Sequence, residues 1–373
     1  MRKLLVNALS VTNASGRHVL QGHMRRVADE LAGKVQLVVI GRADMTGLRE
    51  ALPPSTIWEY APPSTRSWLA RALWERRRMS ELARKYDVFA SFTPSGMMIP
   101  GLRIPQIVFC QNPWALVPAA RRWRDGFKAW LQRRAYRHAM AHAAVMVFNS
   151  RYMQEAYRAN AGRTEKRGLI VHQAADDAAH SRAREMASLA RRPGRIICVS
   201  MMARHKNVEA VIRALAKVRA EHPAAHVVLA GGWPDFGYER KIRDLVAQLN
   251  LEAAVEFTGF LPREKLEELY ATAQVFCLMS RCESFGIPAI EAQLFGTPVV
   301  TSTVCAMPEI GGEGGLYRDP DDVPAIAEAL TKLLTDADEW QRRSQLARAN
   351  AARYQWQTCS QPLVDLIAEM AES

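Results

Sequence analysis

Four charged side chains stand where they could do chemistry on an anionic ligand. Glu283 and Glu291 flank the stretch Ser284-Phe285-Gly286-Ile287-Pro288, which joins the apolar run 275–279 to the segment Ala289-Ile290-Glu291-Ala292-Gln293-Leu294. The apolar run reads as a buried parallel strand, and Pro288 suits the first turn of a helix, where its missing N–H costs nothing. Backbone N–H groups of about Ser284 to Ile287 should therefore be open at a helix start, and free N–H groups together with the helix dipole favour a phosphate. Glu283 then precedes the helix and Glu291 lies about a turn inside it. The two acids could reach opposite ends of a phosphorylated ligand, one toward a sugar and one toward a ribose. Arg204 and Lys206 lie just past the strand 195–200, on the same sheet edge if the sheet is doubly wound, where cations would neutralise a departing diphosphate. Read without their surroundings, these residues are two helix starts with incidental charges.

The elements that must position them follow a strand–helix rhythm. The second half opens with Arg195-Ile196-Ile197-Cys198-Val199-Ser200, and Met201-Met202-Ala203-Arg204-His205-Lys206-Asn207-Val208 leads into a long amphipathic helix. Strands over 226–230 and 255–259 end at Gly231-Gly232 and at Phe260, and Gly232 and Phe260 are counted with the ligand site. Helices are expected over 263–273, over 323–335 with Asp322 as cap, and over 356–372. In the first half, strand 4–8, a loop through Ser15-Gly16, a helix from about Val19 to Ala32 and strand 35–40 make a β-α-β opening. Gly16 suits a tight turn before that helix, though no full G-x-G-x-x-G is present. Strands 87–93, 105–110 and 144–150 follow. The second of these runs into Gln111-Asn112, and the third closes on Asn149-Ser150. The polar stretch 178–194, ending Pro193-Gly194, reads as a hinge.

Two segments break the rhythm. Residues 67–86 form a basic helix, and 121–137 mix seven cations with Trp123, Phe127, Trp130 and Tyr136. Phe127, Trp130, Leu131 and Arg134 follow helical spacing, so part of this aromatic set should face a core, with a solvated basic face opposite. A functional alternative is contact with an anionic membrane, aromatic rings entering the headgroup zone.

Downstream of the Glu283 turn come, in order, Gly296-Thr297-Pro298-Val299-Val300-Thr301, Met307-Pro308-Glu309-Ile310, Gly315-Leu316-Tyr317 and Asp319-Pro320-Asp321-Asp322. This succession resembles the C-terminal half of retaining, nucleotide-sugar-dependent glycosyltransferases of the GT-B fold, family 4. The resemblance is specific over about residues 195–335 and loose before that. It implies an α/β chain of two Rossmann-like, doubly wound domains facing an interdomain cleft. An N-terminal acceptor domain would span 1–177, a linker 178–194, a donor domain 195–355, and a helix 356–373 would cross back to the first domain. It also implies that Glu283 lies near the transferred sugar and α-phosphate, that Glu291 accepts from ribose hydroxyls, and that the Gly16 loop faces the cleft. Gln111, Asn112 and Asn149 are the accompanying acceptor-side candidates. The chain departs from the family twice: Met201 stands where an arginine is usual, and Gln111-Asn112 where a histidine often follows the strand. Glutamine hydrogen-bonds a sugar hydroxyl but does not titrate. In retaining transfer, the resemblance suggests that the leaving phosphate takes the acceptor proton.

Composition sets the outer limits. With 373 residues and 49% hydrophobic composition, the chain is long enough for two domains. Its six cysteines lack zinc or C-x-x-C spacing and read as buried thiols in a reducing, cytoplasmic setting. The apolar start of the chain is too broken for a signal peptide and is read as a strand, so the Asn13-Ala14-Ser15 sequon has no secretory context. The net charge of +12 is uneven: residues 1–190 carry 30 Lys and Arg against 14 Asp and Glu, and residues 191–373 carry 20 against 24. The basic half could face an anionic membrane, an acidic substrate or, as an alternative function, nucleic acid. Asp319-Pro320-Asp321 spells a metal motif of another fold but fits a loop and helix cap better, so no metal and no cofactor are expected. Asp235-Phe236-Gly237 spells a kinase triplet with none of the accompanying kinase motifs. The leading expectation is a metal-independent hexosyltransferase with a nucleotide-sugar donor and a glycan or lipid-linked acceptor. It would bind no nucleic acid and sit peripherally at the inner membrane face. A GT-B relative acting as an epimerase is the remaining alternative.

Overall fold

A computed structural model describes residues 1–11, 14–121 and 123–373, with the side chains of Ala14 and Trp123 left aside. The sequon's Asn13, Arg122 and the Trp123 side chain lie outside the described residues. The chain divides into two units, one of residues 1–116, 121–174 and 356–373 and one of residues 117–120 and 175–355.

Among the described residues, unit 1 holds a parallel sheet of seven strands: β1 (Arg2–Asn7), β2 (Val35–Gly41), β3 (Ile57–Tyr60), β4 (Val88–Thr93), β5 (Gln106–Cys110), β6 (Val145–Phe148) and β7 (Gly168–Ile170). They lie in the order β3-β2-β1-β4-β5-β6-β7. β1 pairs with β2 (Val6 opposite Val39) and with β4 (Val6 opposite Phe92). Runs such as Leu-Leu-Val and Leu-Val-Val-Ile are apolar on both strand faces, which suits a sheet covered by helices on both sides. The covering helices are α1 (Ala14–Glu30), α2 (Thr46–Ala51), α3 (Trp68–Tyr86), α4 (Gly126–His142) and α5 (Arg151–Ala161).

Unit 2 begins with α6 (Asp177–Glu185). Its six parallel strands are β8 (Arg195–Val199), β9 (His226–Ala230), β10 (Val255–Gly259), β11 (Val275–Leu278), β12 (Val299–Ser302) and β13 (Gly315–Arg318), in the order β10-β9-β8-β11-β12-β13. Around them run α7 (Val208–Glu221), α8 (Phe236–Gln248), α9 (Arg263–Thr272), α10 (Ile287–Leu294), α11 (Met307–Gly311), α12 (Val323–Thr335) and α13 (Ala337–Ala351). α12 starts as its sequence indicates, with Asp322 Oδ1 accepting from Ala325 N at 3.0 Å.

The last helix, α14 (Trp356–Glu372), belongs to unit 1. His23 on α1 shares a 2.9 Å hydrogen bond with Ser360 Oγ and meets the rings of Trp356 and Phe109 edge-on. Burial, helped by His18, pushes His23 down to about 3, so the ring is neutral at neutral pH.

The structure departs from the sequence expectations first at Gly16, which is the third residue of α1 rather than part of a loop, the helix starting five residues earlier than expected. The stretch 178–194, read as a hinge, starts within α6 (177–185), whose first turn is capped by Asp176. In α4 the buried face is Ala129, Tyr136, Ala139 and Met140, while Phe127 and Trp130 stack on each other in solvent, Phe127 being 71% exposed. β3, α2, α8 and α13 have no counterpart in the sequence reading. All six cysteines are free thiols, five of them buried. No helix among the described residues is long and apolar enough to cross a membrane.

Candidate active site

In unit 2 the chain runs from β8 to β9 and β10 on one side of the sheet, then returns to β11 beside β8 before continuing to β12 and β13. Loops leaving β8 and β11 diverge at this reversal, and crevices of this kind hold ligands in doubly wound sheets. Lys206 comes from the loop after β8 and Glu283 from the loop after β11. Lys206 Nζ and Glu283 Oε1 form an ion pair, with the two side chains only 14% and 13% exposed. Two further bonds stitch the loops: Arg281 N donates to His205 O at 2.7 Å, and Ser280 Oγ donates to the same carbonyl at 3.2 Å. Burial first, then Lys206, lowers His205 to about 4, so its imidazole is uncharged at neutral pH. Arg204 turns elsewhere. Its Nε donates to Asp235 at 3.0 Å, and its guanidinium lies over the Tyr238 ring.

The start of α10 is shaped by Gly286, whose φ is +93° and where a Cβ would come within 2.8 Å of Met307 Sδ. Pro288 occupies the first turn, as its sequence position indicates. Ser284 and Ile287 are half-buried beside the turn. Phe285 is a core side chain, 1% exposed and edge-on to Tyr354, so its part in any ligand contact falls to its backbone. Glu291, 7% exposed, accepts from Arg263 Nη1 at 2.7 Å and from Tyr270 Oη at 3.0 Å. Arg263 also bonds the fully buried Glu267 at 2.6 Å, and Glu267 pairs with Arg182 as well. Burial works against the Arg263 charge, but the two carboxylates outweigh it and hold the guanidinium above its ordinary value. At the ends of β9 and β10, Phe260 is 75% exposed and its ring lies so close over Gly232 that any Cβ there would overlap it. Met201 is exposed at the end of β8.

The acids of Asp319-Pro320-Asp321 are engaged locally. Asp319 Oδ1 accepts from Asp321 N at 2.8 Å, Asp321 pairs with Arg281, and Asp322 caps α12. Among the described residues no three His, Cys, Asp or Glu are grouped to hold a metal ion.

Of the unit 1 candidates, Gln111 and Asn149 follow the neighbouring strands β5 and β6, where Cys110 lies opposite Phe148 and Asn149 N donates to Cys110 O at 3.4 Å. Gly16 is on α1, Gln111 Nε2 donates to Pro94 O at 3.2 Å, Asn112 Oδ1 accepts from Trp114 N at 3.0 Å, and Asn149 is buried at the end of β6. The sequence reading missed Arg263, Glu267, Tyr270 and Asp235. Asp235 was legible as a helix cap, accepting from Tyr238 N at 3.2 Å, and Arg263 and Glu267 as an i, i+4 pair just after Pro262. Nothing local marked Tyr270.

Two doubly wound parallel sheets, with a charged pair at the reversal of the second, define an α/β protein of the GT-B class. Residues 181–353 match the family described as glycosyl transferases group 1 and residues 20–179 that described as glycosyltransferase family 4, and the chain belongs to this pair of families. It is 33% identical over 170 residues to O-antigen chain mannosyltransferase B of Escherichia coli, covering 45% of this chain and 44% of that one. It is 28% identical over 281 residues to the GDP-mannose-dependent alpha-(1-6)-phosphatidylinositol monomannoside mannosyltransferase of Mycolicibacterium smegmatis, covering 70% and 68%. The chain thus spans less than half the length of the first curated relative it matches. Sucrose-phosphate synthase from Thermosynechococcus elongatus shares the fold over 100% of both chains, with a TM-score of 0.80 at 18% identity.

Proposed function

We propose that this chain is a retaining glycosyltransferase. It moves a hexose, mannose first among the candidates, from a nucleoside-diphosphate sugar to a glycan or lipid-linked acceptor in cell-surface polysaccharide or lipopolysaccharide synthesis. The observation that carries the reading is the Lys206–Glu283 pair at the sheet reversal, with Glu291 one turn into α10. A diphosphate competes with Glu283 for Lys206, because two phosphate charges attract an ammonium more strongly than one carboxylate does. Released from Lys206, Glu283 accepts from a hydroxyl of the transferred sugar. Glu291 keeps lone pairs beyond those used by Arg263 and Tyr270, and ribose hydroxyls donate to them. As the bond from the sugar's anomeric carbon to phosphate oxygen breaks, the acceptor oxygen bonds that carbon on the same face, and the acceptor proton passes to the leaving phosphate oxygen. Lys206, Arg204 released from Asp235, and N–H groups at the start of α10 stabilise the charge that develops. These donors take the neutralising role of a metal, so transfer is metal-independent and should survive EDTA.

Mannose as the sugar rests on the two mannosyltransferase relatives, and GDP as its carrier on the one named as GDP-mannose-dependent. A membrane-facing unit 1 rests on its basic excess and on the exposed Trp68, Leu69, Leu73, Phe127 and Trp130. The deciding experiment is a thermal-shift screen with GDP-mannose, UDP-glucose and ADP-glucose, followed by release of nucleotide diphosphate. Only a ligand of the native state raises the melting temperature. GDP-mannose should give the largest rise; no rise with any of the three sinks the reading.

A further inference from the structure

Among the described residues, the non-glycine residues with positive φ are Asp87, Asn207, Asn250 and Cys305. Asp and Asn settle in the left-handed region more readily than other side chains, and Cys has no such tolerance. Cys305, at φ +63°, is therefore strained backbone held in place by its surroundings, a condition that gathers at functional sites. It lies between β12 and α11, in a loop tied to the one that carries Glu283 after β11. Ser302 Oγ donates to Ser280 O at 2.7 Å, Cys305 Sγ donates to Arg281 O at 3.2 Å, and Ala306 N donates to Glu283 O at 3.3 Å.

Arg281 and Glu283 enclose a second cysteine. Cys282 follows the carbonyl that Cys305 Sγ meets, and peptide geometry sets that oxygen about 2.8 Å from the Cys282 Cα, so the Cys305 sulfur stands within about 6 Å of that Cα. A disulfide joins Cα atoms roughly 4.4–6.8 Å apart, and a local shift of this loop would bring the two sulfurs together. The thiols already act on each other. Burial first, then the Cys305 thiol, pushes the Cys282 thiol up to about 12. Cys282 is 6% exposed and Cys305 half-buried, so a reagent in solution meets Cys305 first. Cys198 and Cys277, on the neighbouring strands β8 and β11, are both fully buried and out of reach of such a reagent.

We propose that Cys282 and Cys305 are a redox-sensitive pair that closes to a disulfide and stops sugar transfer, an inference that rests on the transferase reading. The Cys305 thiolate attacks one sulfur of a small disulfide such as oxidised glutathione, forming a mixed disulfide and expelling one glutathione thiolate. The Cys282 thiolate then attacks the Cys305 sulfur and expels the second. The protein gives up two electrons and two protons, and the two glutathione thiolates take up the protons, so the dithiol is oxidised as the glutathione disulfide is reduced. Closing the bond draws the Cys305 sulfur off Arg281 O and pulls on Cys282, the chain neighbour of Glu283. The Glu283 carboxylate then leaves its place beside Lys206, and a misplacement of about 1 Å costs on the order of 10² in rate. A dithiol reductant reopens the bond and restores transfer.

The test takes the full chain, reduced and then equilibrated with glutathione over a series of oxidised-to-reduced ratios. Alkylation with N-ethylmaleimide and peptide mass spectrometry follow the thiols, while release of GDP from GDP-mannose follows activity. The peptides carrying Cys282 and Cys305 should become cross-linked with the loss of two hydrogens, turnover should fall roughly tenfold or more, and dithiothreitol should reverse both. Cys305→Gly suits the left-handed backbone, and it should keep the turnover of the reduced chain and ignore oxidised glutathione. Its melting temperature reports whether it folds, and if it does not, Cys282→Ala takes its place. No cross-link between these two residues at any ratio, a reaction that stops at the glutathione adduct of Cys305, oxidative loss of turnover in Cys305→Gly, or full turnover by the cross-linked chain overturns the proposal. Mass reads the cross-link whether or not sugar is transferred. A cross-link in a chain that transfers nothing counts against the transferase reading alone, and transfer indifferent to glutathione counts against the switch alone.

Discussion

The two sheet reversals solve the same geometrical problem with opposite chemistry. In unit 2 the reversal between β8 and β11 is closed by charge: Lys206 holds Glu283, and a chain of pairs runs from Arg182 through Glu267 and Arg263 to Glu291. In unit 1 the reversal between β1 and β4 is an open cavity in which Glu75 has an amide for company and no guanidinium within hydrogen-bond distance. Buried carboxylates matched by cations suit a ligand whose own charge must displace one of them. A buried carboxyl held by an amide, with its guanidinium at 3.9 Å, is the more weakly compensated of the two.

The sharpest way to break this contrast is at Lys206. Lys206→Ala removes the cation that answers the diphosphate and should lower kcat by about 10²–10³, in the range for loss of one preorganised charge donor. Steady-state kinetics with GDP-mannose measure it, and a loss of less than about threefold would move the charge-handling role away from the reversal. Next in size is the stability of the pair chain. Glu267→Gln leaves two guanidiniums facing a neutral amide and should destabilise unit 2 by about 2–3 kcal/mol, below the full cost of breaking a buried pair because both arginines are about one-third exposed. Denaturant unfolding measures this; an unchanged midpoint would mean that the chain of pairs is ornamental.

Glu291→Gln should weaken donor binding about tenfold with turnover little altered, whereas Glu283→Gln should mainly lower turnover, because contacts near the reacting carbon strengthen in the transition state. Equal effects on both parameters in both variants would erase the division of labour between the two acids. The smallest effect has the opposite sign. Burial holds the Glu75 carboxyl above its usual 4.5, so its ionisation works against folding once the pH passes that raised value, while below about 4.5 it is protonated folded and unfolded alike. Glu75→Gln should therefore stabilise unit 1 by about 1 kcal/mol at pH 8 and leave it unchanged at pH 4. Destabilisation at pH 8 would show that Glu75 is matched by charge after all and that the two reversals are alike.

The same contrast explains what was legible in the sequence. The Glu283–Glu291 turn is contiguous, and a strand, a positive-φ glycine and a first-turn proline fix where its residues fall. Lys206 was found because a strand end predicts a sheet edge. The unit 1 cavity draws its lining from two strand ends, a loop and single faces of two helices, and no local spacing joins Asn7 to Glu75 or Gln132. Of the aromatic set in 121–137, Tyr136 is the part that faces the core, while Phe127 and Trp130 lie in solvent, for a related reason. Helical spacing shows which residues share a face, but only packing decides whether that face turns inward, and in α4 the small Ala129 and Ala139 do. The Gly16 boundary failed because glycine was weighed as a turn residue where a helix start tolerates it.

The placement of α14 bears on how the protein is made. Unit 1 is interrupted in the chain after Ala174 and completed only from Trp356 onward, and translation proceeds at about 5–20 residues per second. All of unit 2 has therefore been synthesised while α1 still lacks Trp356 and Ser360, the partners that cover His23. During those seconds the nascent first sheet presents an apolar helix face to the cell, while the 175–355 part of unit 2 is already complete.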